Sequence, residues 1–268
     1  MDFQQFAPPE SLQGVVRYFW TLQQPESGPK TFRTIADGCP GLILQHPGGG
    51  AILDQTAKPW PELLLYGQAT QATTMVAEGP FQLVGACLQP GAERLVFNLR
   101  ADELTDTCLD ASLLPGPGRC FARQLLHTES LPAQLDLLTT LLLAARRATQ
   151  VRPEPGVQHA LTQILRSQGR VSLPTLLAEL PFSERSFQRK FQEYVGVSPK
   201  LFARICRFQT SLGQLRAAQY EKLSDLASAN DYADQSHHIR AFREFAGVSP
   251  HQYGKRTREV LENLTELL

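Results

Sequence analysis

Two short stretches in the C-terminal half of the chain carry side chains that can hydrogen-bond to the edges of nucleic-acid bases. The first stretch holds Arg185, Gln188 and Arg189, and the second holds Gln235, Ser236, His237 and Arg240. In the major groove of DNA, an arginine can bond two atoms of guanine and a glutamine can bond two atoms of adenine. Exposed helix faces are rich in the same residue types, so either stretch alone is weak evidence for DNA binding.

The residues around the first stretch predict the helix that would position these groups. Phe187 and Phe191 lie four residues apart and share one face of a helix, which must be the buried face. The arginines and the glutamine then face outward. Ser183 is suited to cap this helix, and a short helix with a tight turn at Leu180 and Pro181 comes before it. This arrangement is what a DNA-binding helix-turn-helix requires.

The same arrangement is repeated 51 residues later. Residues 191–199 read FQEYVGVSP and residues 242–250 read FREFAGVSP. Two copies favour a duplicated unit rather than a solenoid. A long helix predicted over residues 199–215 joins the units. If it holds them about one DNA turn apart, roughly 34 Å, two successive major grooves can be contacted from one face.

The charge distribution agrees with a polyanionic partner for the C-terminal half. The whole chain has 26 basic and 26 acidic residues. Residues 1–156 carry 11 basic and 15 acidic residues, whereas residues 157–258 carry 15 basic and 8 acidic residues. A basic half joined to an acidic half indicates different partners for the two parts.

Residues 157–258 resemble the DNA-binding domain of the AraC family of bacterial transcriptional regulators, which has two helix-turn-helix units joined by a long helix. The resemblance rests on residues 187–199, on Arg207 and, most specifically, on residues 234–253, which begin with Asp-Gln-Ser-His and contain the second Gly-Val-Ser-Pro. It implies a regulator that binds double-stranded promoter DNA and recruits or blocks RNA polymerase.

The resemblance also implies roles for individual positions. The base-contacting positions of the two units are Arg185, Gln188, Arg189, Gln235, Ser236, His237 and Arg240. The basic side chains expected to make structural or phosphate contacts are Lys190, Arg204, Arg207 and Arg243. Phosphate contacts position a protein on DNA, whereas base contacts select the sequence.

Two positions of the second unit depart from the family pattern. Asp231 stands where glycine is common, and since Asp231 and Asn230 both tolerate the left-handed conformation, we expect the turn to survive. His238 stands where a buried leucine or phenylalanine is usual. It is either a neutral core histidine bonded to a backbone carbonyl, or a residue that weakens the second unit when it protonates near about pH 6.

The N-terminal half shows short strand-like segments separated by turn residues. The predicted strands cover residues 15–22, 31–35, 41–45, 62–66 and 81–87. Short strands at this spacing predict a β-rich, cupin-like barrel or sandwich. Residues 1–147 also resemble a β-rich sensory or dimerisation domain found in a subset of the AraC family. The matching segments are Asp37-Gly-Cys39, Gly67-Gln68, Pro90-Gly91 and Glu103-Leu104.

A helix is predicted after the strands, over residues 130–147. Ser130 is a suitable N-cap, a proline lies in the first turn, and two arginines end the segment. Its leucine stripe is wider than one surface-lying face needs, so two interpretations stay open: packing within the chain, or a homodimer contact. Two prolines then predict a linker over residues 148–156, followed by a helical domain over residues 157–268.

Aromatic residues of the N-terminal half could line an effector pocket. They are Trp20, Trp60, Tyr66 and Phe81. Core packing explains aromatic residues on strands equally well, so both interpretations stay open.

Few signals favour an enzyme. His46 and His127 lack metal-ligand spacing, and no metal or other cofactor is expected. The five widely spaced cysteines favour reduced thiols in a cytoplasmic protein, and no apolar run is long enough to span a bilayer. The sequence predicts a cytoplasmic DNA-binding regulator that is not an enzyme. The alternative is an enzyme or small-molecule binding module in the first half, with the helical half secondary.

Overall fold

The computed structural model describes residues 2–46, 49–115, 123–125, 127–128 and 130–256. The described part of the N-terminal half contains nine strands, which are β1 Asp2–Phe6, β2 Val16–Gln24, β3 Lys30–Thr34, β4 Gly41–Gln45, β5 Ile52–Leu53, β6 Leu63–Tyr66, β7 Thr73–Ala77, β8 Phe81–Leu88 and β9 Cys108–Asp110. The five predicted strands are present as β2, β3, β4, β6 and β8. The other four were not predicted, because they are short or alternate too weakly to be recognised.

The strands form two antiparallel sheets. The larger sheet has the order β1-β2-β8-β4-β6-β9, and the smaller has the order β3-β7-β5. Within the described residues the sheets are not joined at their edges, so the predicted β-rich domain is confirmed but it is not closed into a barrel. The strands pair within two separate sheets instead.

The central strands β4 and β8 of the large sheet are buried on both faces. Leu42 and Leu44 on β4 pack towards the helix that follows the β region, whereas Ile43 between them packs towards the smaller sheet. Side chains alternate between the two faces of a strand. A strand buried on both faces therefore has an almost continuous apolar run, which is why β4 was recognisable from sequence.

The described part of the N-terminal half also contains helices α1 Ala92–Phe97 and α2 Leu131–Ala148. The second is the helix predicted over residues 130–147. Leu138 and Leu142 have no exposed surface and pack in the same core as the large sheet. The centre of the leucine stripe is therefore used within the chain.

The C-terminal half is helical. Its elements are α3 Pro155–Arg166, α4 Leu173–Ala178, α5 Glu184–Val195, α6 Pro199–Arg216, α7 Leu223–Ala229, α8 Gln235–Ala246 and α9 Pro250–Arg256. They form two cores bridged by α6, with Phe202 in the first core and Phe208 in the second. The predicted pair of helix-turn-helix units joined by a long helix is therefore present, with α4 and α5 in the first unit and α7 and α8 in the second.

Candidate nucleic-acid interface and interior cavity

The first unit positions its polar groups as the sequence predicts. Ser183 caps α5, with its Oγ accepting a hydrogen bond from the backbone N–H of Ser186 at 3.3 Å. Phe187 and Phe191 are buried. The opposite face carries exposed side chains at Arg185, Gln188 and Arg189.

Gln188 and Arg189 on the exposed face of α5 make weak bonds to neighbouring residues of the same helix. Gln188 Nε2 donates to Glu184 Oε1 at 3.1 Å, and Arg189 Nη1 lies 3.1 Å from Glu193 Oε1. Exposed ion pairs of this kind contribute little to stability, typically less than about 1 kcal/mol. Both side chains can therefore exchange these partners for DNA bases at small cost.

In the second unit, α8 is also capped by the side chain of its N-cap residue, but the predicted base-contacting side chains differ in exposure. Asp234 caps α8 by accepting a hydrogen bond from the N–H of His237 at 2.7 Å. Gln235, Ser236 and Arg240 are exposed. The ring of His237 is half-buried and lies edge-on to Tyr232 at 5.4 Å. Three of the four residues predicted to contact bases are thus exposed to solvent.

Three of the four side chains expected to make structural or phosphate contacts have partners within the chain. Lys190 Nζ lies 2.6 Å from Glu154 Oε2 in the segment before α3, and Arg207 Nη1 donates to the carbonyl of Asp231 at 3.2 Å. Arg204 pairs with Glu244. Arg243 is exposed. These contacts favour a structural role for the first three, whereas the side chain of Arg243 is exposed as a phosphate contact would require.

His238 lies in the core of the second unit. It has no exposed surface, and its Nε2 lies 3.4 Å from the hydroxyl oxygen of Ser211 on α6. Its Nδ1 has no hydrogen-bond partner among the described residues. Burial lowers the pKa of His238 to about 4, so the ring is neutral near pH 7. The expected neutral core histidine is present, but a serine hydroxyl takes the place of the backbone carbonyl we expected.

The turn of the second unit tolerates the replacement of glycine. Asp231 adopts the left-handed conformation with φ of 53°. Beside it, the side chain of Asn230 donates to Gln214 Oε1 at 2.7 Å and to the carbonyl of Leu226 at 2.8 Å. The prediction that this turn survives is confirmed.

The N-terminal domain contacts the C-terminal end of both recognition helices, α5 and α8. Thr105 Oγ1 donates to the carbonyl of Gly196 at 2.6 Å. At the equivalent place in the second unit, Arg33 Nη1 lies 3.5 Å from the carbonyl of Ala246, next to Gly247. The repeated Gly-Val-Ser-Pro therefore marks two docking points. The sequence alone does not reveal them, because the contacts join residues far apart in the chain.

One segment of the N-terminal domain, residues 35–38, inserts against the second unit. The N–H of Ala36 donates to the carbonyl of Phe245 at 3.0 Å, and Gln209 Nε2 donates to the carbonyl of Ala36 at 2.6 Å. Ile35 is buried within the core of the second unit. The segment thus joins the two domains by both apolar and hydrogen-bonded contacts.

A cavity of about 240 Å³ lies in the N-terminal domain, beside that segment. Trp20, Trp60 and Tyr66 line it, as the effector-pocket hypothesis requires. Phe81 does not line it and instead packs on Phe32, with ring centroids 5.9 Å apart. Other lining residues that the sequence did not single out include Tyr18, Ile35, Asp37 and Gln68.

The described residues contain no group of three or more His, Cys, Asp and Glu side chains that could hold a metal ion. In the same part of the chain, no helix is long and apolar enough to cross a membrane. Four cysteines lie within the described residues, at positions 39, 87, 108 and 206, and all four are free thiols. Cys120 lies outside the described residues.

Comparisons with known proteins agree with this architecture. Residues 4–110 match a family described as a domain of unknown function (DUF6597), and residues 176–256 match a family of helix-turn-helix domains. A search of curated proteins finds no match.

Among solved structures, a 1.65 Å structure of ToxT from Vibrio cholerae is 11% identical with a TM-score of 0.50, covering 95% of this chain and 98% of that one. A structure of ToxT with bound unsaturated fatty acid is 12% identical with a TM-score of 0.48, covering 90% and 94% of the two chains. The C-terminal domain of AraT, a response regulator from Geobacillus stearothermophilus, is 26% identical over 42% of this chain and 93% of that one, with a TM-score of 0.36.

The helix-turn-helix match covers both repeated units, and the likeness to ToxT extends over both domains. The chain therefore has the fold of a β-rich N-terminal domain followed by a DNA-binding domain of two helix-turn-helix units.

Proposed function

We propose that this chain, a two-domain transcriptional regulator of the AraC type, binds promoter DNA through α5 and α8 and changes its DNA affinity when a small molecule occupies the cavity. The observation that carries the proposal is that two cavity-lining residues also touch the helix-turn-helix units. Ile35 belongs to the core of the second unit, and Gln68 lies beneath Gly196 of the first.

The geometry of the helical domain supports simultaneous contact with two grooves. The joining helix α6 has 18 residues and therefore spans about 27 Å, comparable with the ~34 Å of one DNA turn. The N-terminal domain holds the C-terminal ends of α5 and α8. The base-contacting residues cluster nearer the other ends, so docking leaves them available for the major groove.

An effector can act through segment 35–38. A ligand changes an equilibrium only when it binds two states with different affinity. In this fold, a ligand in the cavity touches Ile35 and Asp37, which adjoin the backbone bonded to Phe245 and Gln209. Occupancy that displaces the segment would alter the position of the second unit relative to the first, and hence the spacing offered to DNA.

The same proposal includes the setting in which the regulator works. It acts in the cytoplasm, where promoter DNA is accessible, and it recruits or blocks RNA polymerase there. The part of α2 that is not buried against the large sheet is the surface proposed for a homodimer. None of these steps requires catalysis by the chain.

Selection of DNA fragments from a random duplex library, followed by gel-shift measurement at about 0.1 M salt, tests the DNA-binding part of the proposal. We expect a bipartite site with two short preferred sequences about one helical turn apart. Equal binding of all sequences by properly folded protein would contradict it.

A further inference from the structure

The walls of the cavity combine aromatic and acidic side chains. The aromatic residues are Tyr18, Trp20, Trp60 and Tyr66, and the acidic residues are Asp37, Asp54 and Asp106. Among the described residues that line the cavity, none is lysine, arginine or histidine. The lining is therefore rich in π-electron surface and carries three carboxyl groups, and the nearest basic side chain to Asp37, Arg17, lies outside the lining.

Two glycines of the large sheet place two of these rings. Trp20 on β2 is paired across the sheet with Gly85 on β8, and Tyr66 on β6 is paired with Gly41 on β4. A Cβ atom added at either glycine would overlap the paired ring. The missing side chains thus let both rings lie over the sheet, so the strand pairing positions this aromatic surface.

A buried polar atom at the cavity is also left without a partner. Gln68 has no exposed surface and lines the cavity; its Nε2 donates to the carbonyl of Gly38 at 2.8 Å, whereas its Oε1 has no hydrogen-bond partner in the part of the chain that the structure describes. Nearby, Asp37 is 7% exposed, and its Oδ1 accepts from the N–H of Cys39 at 3.0 Å. A buried acceptor without a donor is costly, so Gln68 Oε1 points to a ligand that donates a hydrogen bond.

We propose that the cavity binds an organic ammonium ion, a protonated amine carried on a small apolar body. The Trp and Tyr faces attract the cation, an ammonium N–H satisfies Gln68 Oε1, and Asp37 supplies the opposite charge. A carboxylate ligand would find no cationic side chain among the described lining residues and would lie beside other carboxylates, which is unfavourable. This inference rests on the proposed function and names the class of effector.

Intrinsic tryptophan fluorescence gives a direct test, because the chain has two tryptophans and both line the cavity. The full chain is titrated with phenethylammonium, with the uncharged 2-phenylethanol and with the anionic 3-phenylpropionate. We expect phenethylammonium to bind about tenfold more tightly than 2-phenylethanol, and 3-phenylpropionate not to bind. Equal affinity for the cation and the alcohol, tighter binding of the anion, or no response to any probe would overturn the assignment.

Two variants separate charge recognition from general damage to the cavity. Asp37→Asn keeps an oxygen that can accept from the N–H of Cys39 and removes only the charge. We expect it to weaken phenethylammonium binding about tenfold and to leave 2-phenylethanol binding unchanged. Glu62→Gln, at an exposed residue that does not line the cavity, should change neither. If Asp37→Asn weakens both probes equally, the charge has no specific role and the ammonium assignment is wrong.

Gel-shift assays with the selected DNA distinguish failure of this inference from failure of the proposed function. If the protein binds DNA specifically but only the alcohol or the anion enters the cavity, the regulator stands and the ammonium class is wrong. If phenethylammonium binds selectively but no DNA sequence is preferred, the cavity assignment stands and the regulator does not.

Discussion

Thr105 Oγ1 donates a hydrogen bond of 2.6 Å to the carbonyl of Gly196, across 91 residues of the chain. The last carbonyls of a helix lack partners within the helix, and here the N-terminal domain supplies one. In the second unit, the N–H of Ala36 in the N-terminal domain likewise donates a hydrogen bond to the carbonyl of Phe245 near the end of α8. The duplicated helix ends thus serve as two parallel anchor points for one partner domain.

Replacing Thr105 by valine should loosen the first anchor. The substitution keeps the shape of the side chain and removes the hydroxyl donor, so the carbonyl of Gly196 loses this hydrogen bond. We expect a loss of about 1 kcal/mol in the free energy of unfolding, measured by urea denaturation. Thr31→Val on the exposed edge of β3 is the control and should be neutral. Equal effects of the two changes would show that the bond to Gly196 contributes nothing specific.

Adding a methyl group at Gly196 should destabilise the protein. Gly196 has φ of 99°, and a Cβ there would lie 3.1 Å from both Gln68 Cγ and Thr105 Oγ1. We expect Gly196→Ala to cost about 1–2 kcal/mol. Gly213 lies within α6 with open space around it, so Gly213→Ala should instead stabilise by up to about 1 kcal/mol. Thermal unfolding followed by circular dichroism compares the two, and a gain at Gly196 would contradict the docked arrangement.

The neutral state of His238 predicts a pH dependence of stability. Its pKa in the folded protein is about 4, below the ordinary value of 6.5, so the unfolded chain takes up a proton first. The contribution of neutral His238 to the free energy of unfolding is complete above about pH 6.5. It is lost as the pH falls towards 4, by up to about 3 kcal/mol. His238→Phe should remove this part of the dependence in urea denaturation curves measured between these pH values. His237→Gln is the neighbouring control, and a variant curve parallel to that of the unmodified protein would disprove the role.

The ionisation of Glu93 should change the stability of the protein with pH in the opposite direction to that of His238. Burial raises the pKa of Glu93 to about 8, and the backbone amides of Gly91 and Glu93 offset this only in part. The folded state therefore retains a proton that the unfolded state loses, and the contribution to stability falls as the pH rises from about 4.5 to 8. Glu93→Gln should stabilise the protein at pH 7 by about 3 kcal/mol and have little effect at pH 4. An equal change at both pH values would contradict this assignment.

Arg240 and Arg243 should differ in their effect on DNA binding. Arg240 lies among the positions of α8 proposed to contact bases, whereas Arg243 lies one turn further along the helix. Arg240→Ala should cost about 1–3 kcal/mol and relax the preference at one base pair, whereas Arg243→Ala should weaken all sequences alike and lower the salt dependence. Fluorescence anisotropy with matched and mismatched sites at several salt concentrations measures both. Identical behaviour of the two variants would show that the roles are wrongly assigned.

Much of the helical domain could be predicted because its signals are local. Ser183 and Asp234 cap helices through side chains that bond to amides three residues away, and Phe187 and Phe191 share a face through helical periodicity alone. The β domain was predicted less completely. Strands such as β5, with two residues, are defined by their pairing with β7 rather than by their own sequence.

The sequence by itself determined the duplication, the caps and the exposed polar face of each recognition helix, because caps and periodicity act within a few residues. The predicted linker over residues 148–156 was too long, since the first helix of the C-terminal half begins at Pro155. Only the tertiary structure decided that the repeated glycines anchor the N-terminal domain, that Phe81 lies away from the cavity, and that Gln68 and Ile35 join the cavity to the two units. These relationships arise from strand pairing and domain packing between residues far apart in the chain, where the local pattern carries no information about the partner.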